Sequence, residues 1–130
     1  MAFRMALVVL PEGKGKWKNA QGRTECVELI RQTTGAPATR LWRPGLRIRD
    51  AKAGQIPPYT AIATFVDDHY PTDDRGKHAA IYLGHNGRGI QVIDQWNKQG
   101  EARERTITFD NPHTTSRSNE GNWYYVIEVG

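Results

Sequence analysis

Lys77-His78-Ala79-Ala80-Ile81-Tyr82-Leu83-Gly84, His85-Asn86-Gly87-Arg88 and Gly89-Ile90-Gln91-Val92-Ile93-Asp94-Gln95-Trp96 follow one another without a break, two β-rich runs flanking an Asn-Gly pair. Asn-Gly between such runs is the strongest short-range hairpin signal, because both residues tolerate the positive φ of a type I′ turn. The two runs are expected as antiparallel neighbours. Around them lie Thr60-Ala61-Ile62-Ala63-Thr64-Phe65-Val66, bounded by Pro57-Pro58 and Asp67-Asp68, and downstream Arg105-Thr106-Ile107-Thr108-Phe109 and Trp123-Tyr124-Tyr125-Val126-Ile127-Glu128-Val129. Each reads as a strand. The intervening residues 67–76 and 110–122 read as polar loops.

Upstream of the strands, Thr24-Glu25-Cys26-Val27-Glu28-Leu29-Ile30-Arg31-Gln32-Thr33-Thr34 has the pattern of an amphipathic helix, closed by Gly35 and followed by Pro37. Cys26, Leu29 and Ile30 fall at i, i+3 and i+4, so the thiol stands at the N-terminal edge of the apolar stripe. Residues 35–58, rich in Gly, Pro and Arg, read as a long irregular crossing with one short turn of helix. The apolar run Met5-Ala6-Leu7-Val8-Val9-Leu10 reads as a first strand, and Gly13-Lys14-Gly15-Lys16 as a flexible turn. One helix followed by a series of strands predicts an α+β fold, a helix packed on an antiparallel sheet, as a single domain over residues 1–130.

The chain has 130 residues and one cysteine, so no internal disulfide forms. No cleavage-site pattern follows the N-terminal apolar run, so no signal peptide is expected, and six apolar residues are too few to span a bilayer. No membrane insertion is expected. The net charge of +4 and pI near 9.4 favour polyanionic partners, although solubility alone accounts for an excess of this size.

A thiol at a helix start is favoured as thiolate by the unsatisfied N–H groups there. It needs a base, an orienting group for that base, and donors for a developing oxyanion. Of the four histidines, His69, His85 and His113 fall in loops or at the hairpin turn, and His78 alone begins a regular element. A two-residue Asn86-Gly87 turn sets His78 opposite Gln95. A three-residue Asn86-Gly87-Arg88 loop sets it opposite Trp96, with Asp94 diagonal on the same face. Asp94 is preferred, with Gln95 as the alternative, because a carboxylate on a face carrying Ile90, Val92 and Trp96 is costly unless paired. Singly, each of these residues has an ordinary structural role; together they make a candidate catalytic set. No histidine or cysteine spacing matches a metal site, and no cofactor is expected.

Cys26-Val27-Glu28-Leu29-Ile30, the Pro-bounded strand, Gly76-Lys77-His78-Ala79-Ala80-Ile81-Tyr82 and Ile90-Gln91-Val92-Ile93-Asp94-Gln95-Trp96 together resemble the papain-like CHAP amidases that cut peptidoglycan peptides. More narrowly, they are similar to the small amidase effectors of bacterial type VI secretion systems. The resemblance covers residues 21–109. It implies a papain-like fold, Cys26 as nucleophile, His78 as general base and acid, and Asp94 as orienting residue. It implies Gln21 and the Cys26 backbone N–H as oxyanion donors, though many members carry Gln directly before the cysteine where this chain has Glu25. It implies peptidoglycan stem peptides as substrate, with the D-alanine–diaminopimelate cross-link as the bond cut. It also implies an antibacterial toxin made in the bacterial cytoplasm, delivered by the type VI machinery into a target cell's periplasm, and countered by an immunity protein over the active-site cleft.

Two other readings compete. A basic nucleic-acid-binding module or nuclease toxin draws on Arg40-Leu41-Trp42-Arg43-Pro44-Gly45-Leu46-Arg47-Ile48-Arg49, where cations interleave with an aromatic. A solvated charged face with one buried tryptophan explains the same stretch, so nucleic acid is not the expected partner. The third reading is a non-catalytic cell-wall-binding domain that keeps the fold without the chemistry.

Overall fold

The structure is a computed structural model and describes residue 3, residues 17–72 and residues 76–129. The first strand and flexible turn expected near the N-terminus lie outside the described residues. One helix, α1 (Cys26–Thr34), packs on a sheet of six strands: β1 (Trp42–Arg47), β2 (Thr60–Thr64), β3 (Ala79–His85), β4 (Gly89–Asp94), β5 (Arg103–Thr108) and β6 (Tyr124–Val129). The sheet order is β1-β6-β2-β3-β4-β5, with every neighbouring pair antiparallel. The expected α+β class therefore holds, with a helix on an antiparallel sheet.

Alternation along the strands divides the core in two. Leu29 and Ile30 of α1 meet Ala61, Ala63, Ala79, Ile81 and Ile93 on one face. Ile62, Ala80, Tyr82, Ile90, Val92 and Ile107 point to the other, where Ile48, Ile56 and Phe109 cover them. Every residue of β2 is buried, as a central strand covered on both faces must be. Gly35 ends α1 with φ 74°, a left-handed conformation that costs glycine little, and its N–H closes on Arg31 O.

Residues 35–58 depart from the expected irregular crossing, for they contain edge strand β1 flanked by 3₁₀ turns at Thr39–Leu41 and Ile48–Asp50. Pro44 and Gly45 conceal this strand in the sequence. An edge strand tolerates proline, and the pairing with β6 is interrupted by a register shift between Pro44 and Arg47. Trp42 is fully buried, its Nε1–H donating to Pro37 O at 2.9 Å. Arg47 and Arg49 bond to Asn122 and Asp110. This stretch thus buries its aromatic and pairs these two cations within the protein at its surface, which does not make a stacking platform for bases.

Neither hairpin turn considered from the sequence forms. The turn carries four residues, 86–89, with His85 opposite Ile90 and Asn86 N–H donating to Gly89 O at 3.1 Å. A bulge between Tyr82 and Gly84 adds one residue to β3, after which Ile81 faces Ile93. The longer turn and the bulge cancel. Continued to the strand end, the register sets Ala80 opposite Asp94 and His78 diagonal to it, the arrangement expected from a three-residue loop.

Candidate active site

At the end of the sheet where β3 begins and β4 finishes, three polar side chains converge from three elements. Cys26 is the first residue of α1. Glu25 before it has extended backbone (φ −70°, ψ 146°), and its carbonyl accepts from Gln95 Nε2 at 2.9 Å, which ties the helix start to the end of β4. Gln95 also bonds both the N–H and the C=O of Trp17. Thr24 adds a further tie from its hydroxyl to Trp96 O at 3.3 Å.

His78 is fixed through Thr64. The histidine N–H donates to Thr64 Oγ1 at 3.1 Å, its carbonyl accepts from Thr64 N–H at 2.9 Å, and the threonine hydroxyl donates to Gly76 O at 2.8 Å. Gly76 has φ 127°, and a Cβ there would lie 2.6 Å from the Arg117 backbone nitrogen, so only glycine fits this approach to His78.

The imidazole Nε2 lies 2.7 Å from Asp94 Oδ2. An ionised carboxylate only accepts, so Nε2 carries the proton and Nδ1 is left for the thiol, whose charge and that of the ring act on one another. Asp94 is fully buried. Its Oδ2 also accepts from Arg105 Nε at 2.7 Å, while Oδ1 has no hydrogen-bond partner among the described residues. The Arg105 guanidinium in turn lies over the Trp96 ring at 5.1 Å and donates to Asn119 Oδ1. Trp96 meets His78 edge-on.

Electrostatics make a pair of the thiol and the imidazole. Burial pushes the Cys26 thiol up, but the charge and hydrogen bond of His78, then the Tyr70 hydroxyl and the Ala79 backbone, bring it below its ordinary value. Burial likewise opposes the imidazolium, yet the thiolate beside it and its hydrogen bond to Asp94 raise His78 to about 9. The two titrate as a coupled thiolate–imidazolium pair. Glu25, whose charge would oppose the thiolate if it pointed inward, turns instead toward Arg23 at 3.6 Å.

Above the pair opens a cleft of about 660 Å³, walled by Tyr70, Trp96, Arg23, Arg40 and Lys77 among others, with Glu25 the one carboxylate among its described lining residues. Such a pair at the base of an open cleft is equipped to attack a carbonyl and to protonate a leaving amine. Among the described residues, no group of three or more His, Cys, Asp or Glu side chains is arranged to hold a metal ion.

The family model for "Domesticated amidase effector 2" matches residues 8–127. The chain belongs to the domesticated amidase effector 2 family. A relative of that name from Ixodes scapularis is 34% identical over 119 residues, 89% of this chain and 79% of the relative. A type VI secretion amidase effector 2 protein from Salmonella typhi is 40% identical over 72 residues, 55% of this chain, and the match spans about half (53%) of that relative's length. Among solved structures, type 6 secretion amidase effector 2 superposes with a TM-score of 0.78 at 27% identity, covering 96% of each chain. The papain-like fold expected from the sequence is thereby shared with that solved amidase effector.

Of the site residues expected from the sequence, Cys26, His78 and Asp94 come together. Two others do not. Gln21 is exposed in a turn whose Gln21 N–H is taken by Asn19 Oδ1 at 2.9 Å, and it does not line the cleft. Gln95, the alternative orienting residue, lies just past the end of β4 and binds Trp17 and Glu25 rather than the imidazole.

Three contributors escaped the sequence reading. Thr64 holds the His78 backbone, Arg105 shares the Asp94 oxygen, and Tyr70 places its hydroxyl 3.7 Å from Cys26 Sγ. Asp67-Asp68 was the available signal for Tyr70. Both residues have positive φ (51° and 64°), and Val66 and His69 exchange hydrogen bonds across them, a tight reversal that returns the chain to the cleft at Tyr70.

Proposed function

We propose that this chain is a cysteine amidase that hydrolyses amide bonds in peptidoglycan stem peptides. The observation that carries the reading is the Cys26–His78–Asp94 chain at the base of the cleft, with the thiol lowered and the imidazole raised. Cys26 thiolate adds to the amide carbonyl while its own N–H, unsatisfied at the helix start, donates to the oxyanion. His78 protonates the departing amine, then takes a proton from the water that hydrolyses the thioester. Asp94 holds the Nε2–H tautomer. Acid–base assistance of this kind contributes about 10²–10⁴-fold.

Stem peptides carry free carboxylates, which suit a cleft walled by Arg23, Arg40 and Lys77. The bond we assign is the D-alanine–diaminopimelate cross-link, on the resemblance to the cross-link-cutting effectors. Family membership and the amidase-effector relatives support delivery by the type VI machinery as an antibacterial toxin, action in the target periplasm, and neutralisation by an immunity protein over the cleft. No helix among the described residues is long and apolar enough to cross a membrane.

Digestion of purified sacculi, with mass spectrometry of the released muropeptides, tests the proposal. Cross-linked dimers should resolve into monomers, and Cys26→Ala should abolish the products. An undiminished yield from Cys26→Ala refutes the mechanism, and cleavage confined to another amide refutes the bond assignment.

A further inference from the structure

Once Gln21 is found outside the cleft, the Cys26 backbone N–H is left as the one oxyanion donor assigned so far among the described residues. A buried or fixed O–H or N–H aimed at the space beside Sγ is what is missing, and the cleft contains one. Resting on the cysteine amidase reading above, we propose that Tyr70 is a catalytic residue, the second oxyanion donor. Its phenol hydrogen-bonds the substrate carbonyl oxygen as Cys26 Sγ adds to the carbonyl carbon.

The geometry supports the assignment from both sides of the phenol. Its oxygen is 3.7 Å from Sγ and the side chain lines the same cleft. The attacked carbon carries its oxygen one bond further out than the forming S–C bond. A carbonyl that turns its oxygen toward the phenol brings the developing oxyanion into the range of about 2.7–3.1 Å that an effective donor needs. The ring is held in place by an edge-on contact with Trp42 (centroids 5.0 Å apart, planes at 69°). Trp42 is itself fully buried on β1 and anchored through Nε1 to Pro37 O. Preorganisation of this sort is what gives an oxyanion donor its value, because nothing has to reorient during the reaction.

The phenol also stays protonated. Burial first, then the charge of the neighbouring thiolate, hold its pKa well above 10, so throughout the range in which Cys26 is a thiolate Tyr70 is a donor. In the resting enzyme the hydroxyl faces sulfur. During addition, the sulfur lone pair forms the S–C bond and the carbonyl π pair moves to oxygen, and the negative charge the phenol faces passes from sulfur to that oxygen. On collapse the oxygen pair re-forms the carbonyl, the C–N bond breaks, and the amine leaves with the proton of His78. Tyr70 gives up no proton at any stage.

Tyr70→Phe is the direct test, since it keeps the ring against Trp42 and removes only the hydroxyl; circular dichroism and melting check the fold. Turnover of cross-linked muropeptide dimer should fall about 10²-fold in kcat with KM within twofold. An acylated D-alaninal is the second probe: Sγ adds to its aldehyde carbon and leaves a tetrahedral oxygen in the oxyanion position, so it should bind the variant at least tenfold more weakly. Because the hydroxyl also helps lower the Cys26 thiol, the midpoint of iodoacetamide alkylation should rise, but by much less than the loss in kcat. Unchanged kcat and unchanged aldehyde affinity overturn the proposal. So does a loss of kcat matched by an equal rise in the alkylation midpoint and recovered at high pH, for the phenol would then serve only the resting thiolate. Full activity of Tyr70→Phe with Cys26→Ala still inactive removes this inference alone, whereas activity in Cys26→Ala removes the reading on which it rests.

Discussion

Replacing Asp94 by Asn keeps the size and polarity of the side chain but removes the charge that orients and stabilises the His78 imidazolium. In the native protein the ring is raised from 6.5 to about 9 although burial opposes it. That net rise corresponds to about 3 kcal/mol in favour of the charged form. The thiolate is the largest of the favourable causes and the Asp94 hydrogen bond the next, so the variant should keep part of the rise and lose the rest. The sign follows from the chemistry. The imidazolium must be present to protonate the leaving amine, and activity is lost as pH rises through its pKa; lowering that pKa moves the alkaline limb from near 9 toward neutrality. The amide also presents an NH₂ group as readily as an oxygen to Nε2, which frees the ring to adopt the other tautomer. Misplacement of that proton brings the expected fall in kcat to about 10²–10⁴-fold. Initial rates of muropeptide release between pH 5 and pH 10 measure both effects. An Asp94→Asn enzyme with the parental kcat and an unmoved alkaline limb would refute the assigned role.

Two further substitutions probe how the pair is held. Gln95→Leu should cost about 2–3 kcal/mol in thermal or urea unfolding, because its amide satisfies Trp17 and Glu25 backbone groups that then lack partners. It should lower kcat/KM beyond that by loosening the start of α1, and a variant as stable and active as the parent counts against the tie. Gly76→Ala forces a Cβ against the Arg117 backbone at a φ of 127°, and should cost about 1–3 kcal/mol and shift the His78 backbone. Parental melting temperature and turnover in this variant would show that the segment before β3 absorbs the strain elsewhere.

The helix, five of the six strands and the meeting of Cys26, His78 and Asp94 were legible because each rests on a strong local pattern: a 3.6-residue apolar stripe closed by glycine, period-two alternation, and an Asn-Gly turn. What was illegible depended on partners remote in sequence. Trp42–Arg47 becomes a strand only because β6 offers it an edge on which Pro44 is tolerated. The turn length was misjudged by one residue, and the bulge near Leu83, invisible in composition, corrected the register before it reached His78. Gln21 looked suitable by its nearness to Cys26 in sequence, but an Asx-type turn at Asn19 takes it to the surface. Tyr70 carries no periodic signal at all, and its place beside sulfur depends on the Asp67-Asp68 reversal and on the buried Trp42 it leans against.

The end of β4 explains why the thiol and the imidazole stay in register although they belong to elements on different parts of the chain. Asp94, the last residue of β4, and Gln95, the residue after it, are consecutive, yet their side chains bond to different elements. Asp94 reaches His78 on one side, and Gln95 reaches the carbonyl of Glu25, the residue before Cys26, on the other. One peptide unit therefore grips both members of the pair. A displacement of β4 moves them together, and their separation depends mainly on two short links, one ionic and one amide. It follows that Asp94→Asn and Gln95→Leu should not act independently: each leaves one grip in place, and the double variant loses both. The expected coupling between them in kcat/KM lies in the range of about 0.5–3 kcal/mol found for residues sharing one network. Strict additivity would mean instead that α1 and β3 are aligned by the packing of Leu29 and Ile30 on Ala79 and Ile81, with β4 contributing chemistry but no alignment.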